Sequence, residues 1–209
     1  MYDINYYVIL KDMRFFATLG MTAKRRYIMI ILASASPRRK ELLSLICDNF
    51  KIIPAGIDES LDGNVSLYDI PEYLAIQKAA AVHRNHPDDI VIGCDTGVFV
   101  DNQMIGKPKS DKAAVEILKL LSGKTHKVIT GCAVLGKGEP ISFSKVTEVE
   151  FYELSDDEIL EYVETGEPLD KADDYGIQAK GGALIKQIKG DYFNVVGLPV
   201  AELKRKLFG

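Results

Sequence analysis

From residue 28 onwards, short apolar runs alternate with segments typical of helices, and this alternation limits the fold more than any other feature. Residues 28–33 form a continuous apolar run rich in isoleucine, which predicts a buried strand. Ser36, a favoured helix cap, and Pro37, favoured at the first helical position, predict that a helix begins directly afterwards. Residues 90–94 predict a second buried strand. The alternation predicts a mixed α/β protein.

The remaining segments continue this mixed pattern. Ser155 and Glu158 have the spacing of a capping box at the start of a helix. A glycine-containing turn at 136–139 separates two apolar runs, which predicts a long antiparallel hairpin. The other predicted strands cover residues 50–53, 98–100, 104–105, 127–135, 141–151, 183–188 and 193–196, and the other predicted helices cover residues 71–84, 110–121, 155–164 and 199–207.

The size and charge of the chain exclude several classes of protein. Its 209 residues, 47% of them hydrophobic and 27% charged, suffice for one large domain or for two lobes that share a sheet. The net charge of −4 argues against a protein that grips a nucleic-acid backbone, so no nucleic-acid partner is expected. No apolar run approaches the roughly 20 residues that span a bilayer, so no membrane partner is expected either.

The first 28 residues differ in composition from the rest. They carry five basic and two acidic side chains, whereas residues 29–209 carry 21 basic and 28 acidic ones. Residues 24–26 with the apolar run after them imitate a signal peptide. That alternative is disfavoured because the run is short and far from Met1. We expect residues 1–28 to be a poorly ordered extension of unknown role.

The cysteines indicate a compartment. Cys47, Cys94 and Cys132 are odd in number, form no CxxC pair and lie among apolar residues. This usage is typical of buried thiols in a reducing environment, so a cytoplasmic protein is expected.

Residues 34–39, with the sequence Ser-Ala-Ser-Pro-Arg-Arg, are the first candidate site. Arginines in the first helical turn face the positive end of the helix dipole, which costs a few tenths of a kcal/mol to about 1 kcal/mol. A bound anion would offset that cost, held by backbone amides, the hydroxyls of Ser34 and Ser36, and the guanidinium groups of Arg38 and Arg39. A polyphosphate fits this pattern; a solvated basic turn is the alternative.

Carboxylates that follow predicted strands form the second candidate site. Asp58 and Glu59 follow the strand at 50–53, and Asp95 follows the strand at 90–94. Ligands of α/β sheets collect at the carboxyl ends of strands, and carboxylates beside a phosphate site suit a divalent ion such as Mg²⁺. The alternative is that all three are ordinary turn residues.

Three lysines are further candidates. Lys78 shares a helical stripe with Leu74 and Val82, which places its ammonium either in a cleft or along an apolar surface with its charge in water. Lys107 and Lys171 lie on predicted loops, where lysines are usually solvated.

Ten stretches, in order from about residue 29 to the end of the chain, share the pattern of one known family. They are residues 31–43, 58–59, 77–79, 93–96, 106–108, 122–126, 162–168, 170–172, 175–178 and 194–199. Together they resemble the Maf family of nucleoside triphosphate pyrophosphatases. The resemblance covers nearly the whole chain, and it is specific because of this length rather than because of any single motif.

The resemblance implies a fold and an activity. The fold would be an α/β fold of the Maf and inosine triphosphate pyrophosphatase kind, a mixed twisted sheet with flanking helices that form two lobes around a central cleft, within a domain of residues 29–209. The activity would be metal-dependent hydrolysis of a nucleoside triphosphate to the monophosphate and pyrophosphate.

The resemblance also implies roles for the candidate residues. Glu59 and Asp95 would hold a divalent cation, Mg²⁺ or Mn²⁺, and its water, with Asp95 as the base and Lys78 as a further catalytic residue. The metal-ligand and base roles of the two carboxylates are not separated by the sequence. The substrate would be held by Ser34, Ser36, Arg38, Arg39, Lys78, Lys107 and Lys171.

The chain also resembles one branch of the family, and this resemblance implies a choice of substrate. The branch that acts on dTTP and UTP is similar to this chain at Arg38, Thr96 and Gln178, and a glutamine amide suits the edge of a uracil or thymine ring because it both donates and accepts. Modified pyrimidine nucleotides are further candidate substrates. Two alternatives are a pyrophosphatase of 7-methyl-GTP and a non-catalytic nucleotide-binding regulator of cell division.

Two features depart from the family pattern. Asp173 and Asp174 stand where the family usually has small residues, which places two negative charges near the expected polyphosphate. Family members commonly begin at the position of Met29, so translation from Met29 is an expectation. The resemblance also implies a homodimer.

Overall fold

The computed structural model describes residues 28–61, 65–170 and 176–209. Residues 1–27 of the expected extension lie outside these ranges, and so do Lys171, Asp173 and Asp174. The expectations for these residues stay predictions.

Within the described residues, seven strands form one mixed sheet. Strand β1 pairs in parallel with β2 and β3, whereas β3, β5, β6 and β7 follow one another in antiparallel order, with β4 paired to β3. The strands are β1 Ile30–Leu32, β2 Phe50–Ile52, β3 Ile90–Val100, β4 Gln103–Ile105, β5 Thr125–Leu135, β6 Ile141–Phe151 and β7 Ile185–Lys189.

Helices flank the sheet, and the predicted α/β fold class is confirmed. None of the helices in the described part of the chain has the length and apolar character needed to cross a membrane. The helices are α1 Pro37–Ser44, α2 Ile70–His83, α3 Asp111–Leu121, α4 Asp156–Glu164, α5 Glu167–Asp170, α6 Tyr192–Val196 and α7 Val200–Phe208, with 3-10 helices at Leu67–Asp69 and Lys180–Leu184.

The predicted helix starts are confirmed at two caps. The Ser36 hydroxyl accepts a hydrogen bond from the Arg39 amide at 3.4 Å, and Pro37 is the first residue of α1. Ser155 and Glu158 form the complete capping box ahead of α4. Each cap satisfies amide groups that the first helical turn leaves without partners.

Strand β3 runs through the whole core and alternates between its two faces. Its even-numbered residues from Ile90 to Cys94 pack with α1 and α7, and Val98 and Val100 pack with α3 and α4 farther along the same face. Val91 packs on the opposite face against α2. Thr96 therefore lies between the two apolar clusters of one face.

Two glycines let helix α2 lie directly on the sheet. A Cβ atom at Gly93 would overlap the backbone carbonyl of Ala75, and one at Gly131 would overlap the backbone amide of Glu72. Gly131 is the cross-strand partner of Asp95. Glycine at these two positions sets the distance between α2 and strands β3 and β5.

The prediction that a strand ends at residue 94 is wrong, because β3 continues to Val100. The polar and small residues 95–97 interrupt the apolar run, but β5 pairs with β3 across this interval, from Cys94 opposite Cys132 to Phe99 opposite Lys127. Asp95 thus lies within a strand. It lies three residues beyond Ile92, which pairs with Leu32, the last residue of β1.

The prediction of a strand at 193–196 is also wrong, since these residues belong to helix α6. The Asp191 side chain accepts hydrogen bonds from the amides of Phe193 and Asn194, and Gly197, with φ of 119°, ends the helix in the left-handed region. These two caps outweigh the strand preference of the apolar run. The strand predicted at 183–188 begins only at Ile185.

Substituting Gly131→Ala should destabilise the protein by about 1–3 kcal/mol or more, because the added methyl forces α2 away from β5. Chemical denaturation measures this loss. Gly106→Ala is the matched control, since a Cβ there meets no atom within 4 Å. Equal stability of the two variants would contradict the close packing described for α2.

Candidate active site

A cleft of about 460 Å³ opens where the parallel strands β1 and β2 end. Leu32 pairs with both Ile52 and Ile92, so the chain leaves β1 and β2 at the same level while β3 continues past them. Ligands of α/β sheets bind at such an edge. The polar residues that line the cleft are Ser34, Ser36, Arg39, Glu59, Lys78 and Lys107.

The ammonium group of Lys78, which lines this cleft, binds two carboxylates: Glu59 in the cleft wall and the buried Asp95 behind it. Its Nζ atom lies 2.5 Å from Oδ1 of Asp95 and 2.8 Å from Oε1 of Glu59. The side chains of Lys78 and Asp95 are 13% and 12% exposed, whereas that of Glu59 is 54% exposed. Lys78 thus has one buried and one solvated partner. This contact depends on the position of α2 against β3.

The two carboxylates have pKa shifts of opposite direction. Burial raises the pKa of Asp95, and the charges of Lys78 and Arg39 offset only part of this shift. Burial alone would also raise the pKa of Glu59, but the hydrogen bond and charge of Lys78, together with the charges of Lys107 and Arg39, lower it overall. The site therefore contains a carboxyl with increased proton affinity beside one with decreased affinity.

The guanidinium group of Arg39 is held at three points. Its Nε donates to the carbonyl of Gly197 at 3.0 Å, its Nη2 to the Thr96 hydroxyl at 2.9 Å, and its Nη1 to the Ser34 hydroxyl at 3.4 Å. These contacts join α1 to β3 and to the turn after α6. Arg39 consequently has a defined orientation at the wall of the cleft.

The two predicted serines shape the loop between β1 and α1. The hydroxyl of Ser34 accepts the Ser36 amide at 3.2 Å, and the hydroxyl of Ser36 caps the helix. A hydroxyl that accepts such bonds keeps its own proton to donate to an anion. The helix start of α1 and these hydroxyls thus face the same cleft as Arg39.

The structure does not bring every predicted residue to the cleft wall. Gln178 is exposed and outside that wall. Neither Asp95 nor Thr96 lines the cleft; Asp95 contacts Lys78 and Thr96 contacts Arg39, both of which do. Arg38 is half-buried, and its charge acts on Tyr162, whose pKa burial raises to about 12 while Arg38 opposes that rise. Roles for Arg38, Thr96 and Gln178 in substrate binding stay predictions.

Sequence reasoning missed three residues behind Arg39. Gly197 accepts its Nε–H, and the fully buried Thr130 and Asn194 continue the hydrogen bonding beyond Thr96. The sequence carries two signals for this segment: the polar Asn194 within an apolar run that ends at a glycine, and the match of residues 194–199 to the family pattern. The strand prediction for 193–196 assigns this segment no role in the site.

The described residues contain no group of three or more histidine, cysteine or acidic side chains that could hold a metal ion. The carboxylates of Glu59 and Asp95 both contact one cation, the Lys78 ammonium. Mg²⁺ is commonly bound by one or two carboxylates, with water and substrate phosphates as the other ligands. The donor set therefore fits a metal that arrives with an anionic ligand.

The family comparison and the curated relatives agree with one another. A family model described as "Maf-like protein" matches residues 29–208. A Bacillus cereus (strain B4264) protein named "dTTP/UTP pyrophosphatase" is 50% identical over 178 residues, which cover 85% of this chain and 93% of the relative. A Bacillus mycoides (strain KBAB4) protein of the same name is 49% identical with the same coverage.

A solved structure supports the fold alone. The Staphylococcus aureus Ham1 protein matches with a TM-score of 0.50 and 17% identity, over 86% of this chain and 97% of the Ham1 chain. The two proteins thus share a fold although their sequences are only 17% identical.

Lys78→Met should raise the pKa of Asp95 further, because the cation that offsets its burial is lost. Carbon NMR of the side-chain carboxyl over a pH titration measures this pKa. Lys107→Met is the control: it should raise the pKa of Glu59, on which Lys107 acts, and leave that of Asp95 in place. An unchanged Asp95 titration in Lys78→Met would refute the described pairing.

Proposed function

Because the chain belongs to the family of Maf-like proteins, we propose that it hydrolyses dTTP and UTP to the nucleoside monophosphate and pyrophosphate. Relatives that are about 50% identical over most of their length carry the name dTTP/UTP pyrophosphatase. The observation that carries the proposal is the Lys78 ammonium bound to Asp95 and Glu59 beside the helix start of α1. In this proposal the loop before α1 binds the phosphates and the carboxylates activate water, two roles that suit phosphoanhydride hydrolysis.

The cleft would hold the triphosphate through its fixed donors. The hydroxyls of Ser34 and Ser36 and the guanidinium of Arg39 surround the start of α1, where the helix dipole also favours an anion. Lys107 lines the same cleft, close enough for its charge to act on Glu59. In this proposal these groups orient the chain of phosphates with the α-phosphorus toward Asp95.

Asp95 would act as the base. As a water oxygen forms its bond to the α-phosphorus, the carboxylate takes a proton from that water, and the bond between the α-phosphorus and the bridging oxygen breaks. Pyrophosphate leaves with the electron pair of that bond. Lys78 and Arg39 neutralise the charge that develops on it. The raised pKa of Asp95 supports this role, because it increases the affinity of the base for the proton.

Glu59 and Asp95 are the residues that would hold a divalent cation, Mg²⁺ or Mn²⁺, together with the substrate phosphates. When bound, such a cation supplies positive charge at the phosphates and lowers the pKa of bound water. The low pKa of Glu59 suits a ligand, because the carboxylate is ionised at neutral pH.

Pyrimidine preference and cellular context are further parts of the proposal. Arg38, Thr96, Lys171 and Gln178 are proposed to contribute to substrate binding, as the family resemblance implies. The three cysteines form no disulfide, which supports a reducing compartment such as the cytoplasm. A homodimer stays a prediction.

Purified protein should release pyrophosphate from UTP and dTTP faster than from a panel of other nucleotides that includes 7-methyl-GTP. Asp95→Asn should lower kcat by about 10²–10⁴-fold, because the base is lost. Asp101→Asn is the control, since Asp101 is an exposed carboxylate paired with Lys124.

Three results of this assay would oppose the proposal. Absence of turnover on every nucleotide would favour a non-catalytic regulator. Unchanged turnover in Asp95→Asn would show that Asp95 is not the base. Faster cleavage of 7-methyl-GTP than of UTP would overturn the pyrimidine assignment.

Chelation should abolish turnover, and added Mg²⁺ or Mn²⁺ should restore it, because the described residues supply only part of a metal coordination shell. In Glu59→Gln the concentration of metal that gives half-maximal rate should rise, since one ligand loses its charge. Full activity in the presence of excess chelator would contradict the metal requirement.

A further inference from the structure

Arg39 is the first member of a chain of hydrogen bonds that runs into the protein core. Its Nη2 lies 2.9 Å from the Thr96 hydroxyl, which lies 3.0 Å from the Thr130 hydroxyl. The Thr130 hydroxyl lies 2.9 Å from the backbone carbonyl of Asn194. Thr96 and Thr130 are direct partners across strands β3 and β5, so the sheet itself sets their separation.

All hydrogen bonds in this series are donated in the same direction, from Arg39 toward Asn194. A guanidinium group has only donors, so Thr96 accepts from Arg39. A backbone carbonyl has only acceptors, so Thr130 gives its single hydroxyl proton to Asn194. Between them, the proton of Thr96 is donated to Thr130. Every hydroxyl proton is therefore used, and each bond polarises the next in the same sense.

The far end of the hydrogen-bond chain is buried and has several hydrogen-bond partners. Thr130 and Asn194 are fully buried, and the Asn194 amide donates to the Val128 carbonyl and to the Thr147 hydroxyl, each at 3.0 Å. The same segment reaches Arg39 directly, because Gly197 accepts its Nε–H at 3.0 Å. Helix α6 and the turn after it thus orient the guanidinium in two ways: directly through Gly197, and through the two threonines that end at Asn194.

We propose that Thr96 and Thr130 are positioning residues that orient Arg39 for binding the substrate phosphates. The inference rests on the proposed function for the role of Arg39. It makes the contribution of Thr96 to substrate binding indirect, through Arg39, because the only hydroxyl proton of Thr96 is donated to Thr130 and is not available to a nucleobase carbonyl.

A double-mutant cycle of Thr130 and Arg39 tests this proposal. Thr130→Val keeps the shape but removes the hydroxyl, and it should lower kcat/KM for UTP about ten-fold, the effect typical of one hydrogen bond in a charged chain. Thr130→Ser keeps the hydroxyl and should retain most of the activity. In an Arg39→Met background, Thr130→Val should lower kcat/KM less than two-fold.

A merely structural role for Thr130 gives a different result. Thr130→Val would then lower kcat/KM by the same factor with and without Arg39, and that outcome overturns the proposal. Activity of Thr130→Val equal to wild type overturns it as well. Denaturation of all four proteins of the cycle shows that each is folded under the assay conditions.

Binding of inorganic tripolyphosphate, measured by calorimetry on the same variants, separates this inference from the proposed function. In one outcome the wild-type protein does not hydrolyse UTP, but it binds tripolyphosphate about ten-fold more tightly than Thr130→Val does, and this difference disappears when Arg39 is replaced. That outcome refutes the activity and supports the positioning role. Hydrolysis of UTP with no coupling between Thr130 and Arg39 in either measurement refutes the positioning role alone. If the wild-type protein neither hydrolyses UTP nor binds tripolyphosphate, both the proposed function and the positioning role are refuted.

Discussion

The site depends on one ammonium group that reaches two carboxylates, because a buried Asp95 without a cation would be unfavourable in its ionised form. Lys78 provides this cation from helix α2, at 2.5 Å from Asp95. The helix can come this close only because Gly93 and Gly131 leave space for its backbone. Backbone packing and electrostatics are thus coupled. Because two positions of the sheet have no side chain, helix α2 lies close enough for Lys78 to reach Asp95.

Arg39 is a second cation with a defined orientation at the same cleft. Arg39 is held by the Gly197 carbonyl and by Thr96, so the carboxyl-terminal segment sets its orientation although it lies far away in sequence. Lys78, Lys107 and Arg39 gather positive charge in one cleft of a chain whose net charge is −4. The overall charge argued against a nucleic-acid clamp, but it concealed a local site suited to one anionic ligand.

The sequence predicted the parts of this structure that depend on local chemistry. The caps at Ser36 and Ser155, the mixed α/β class and the candidacy of Lys78 followed from patterns within a few residues. The continuity of β3 through Asp95 depends on pairing with β5, and helix α6 depends on the side-chain cap at Asp191, so apolar patterning alone misassigned both. The hydrogen bonds that connect Arg39 to Gly197 and, through Thr96 and Thr130, to Asn194 join residues that are 34 to 158 positions apart and leave no local pattern.

The central claim is that this cleft directs water to the α-phosphorus of a bound triphosphate. Hydrolysis of UTP in water enriched with oxygen-18, followed by mass spectrometry of both products, tests it most directly. We predict one labelled oxygen in the monophosphate and none in pyrophosphate. Label in pyrophosphate would show attack at the β-phosphorus, and release of labelled inorganic phosphate would show attack at the γ-phosphorus. Either result would contradict the proposed arrangement of Asp95 and the phosphate-binding loop.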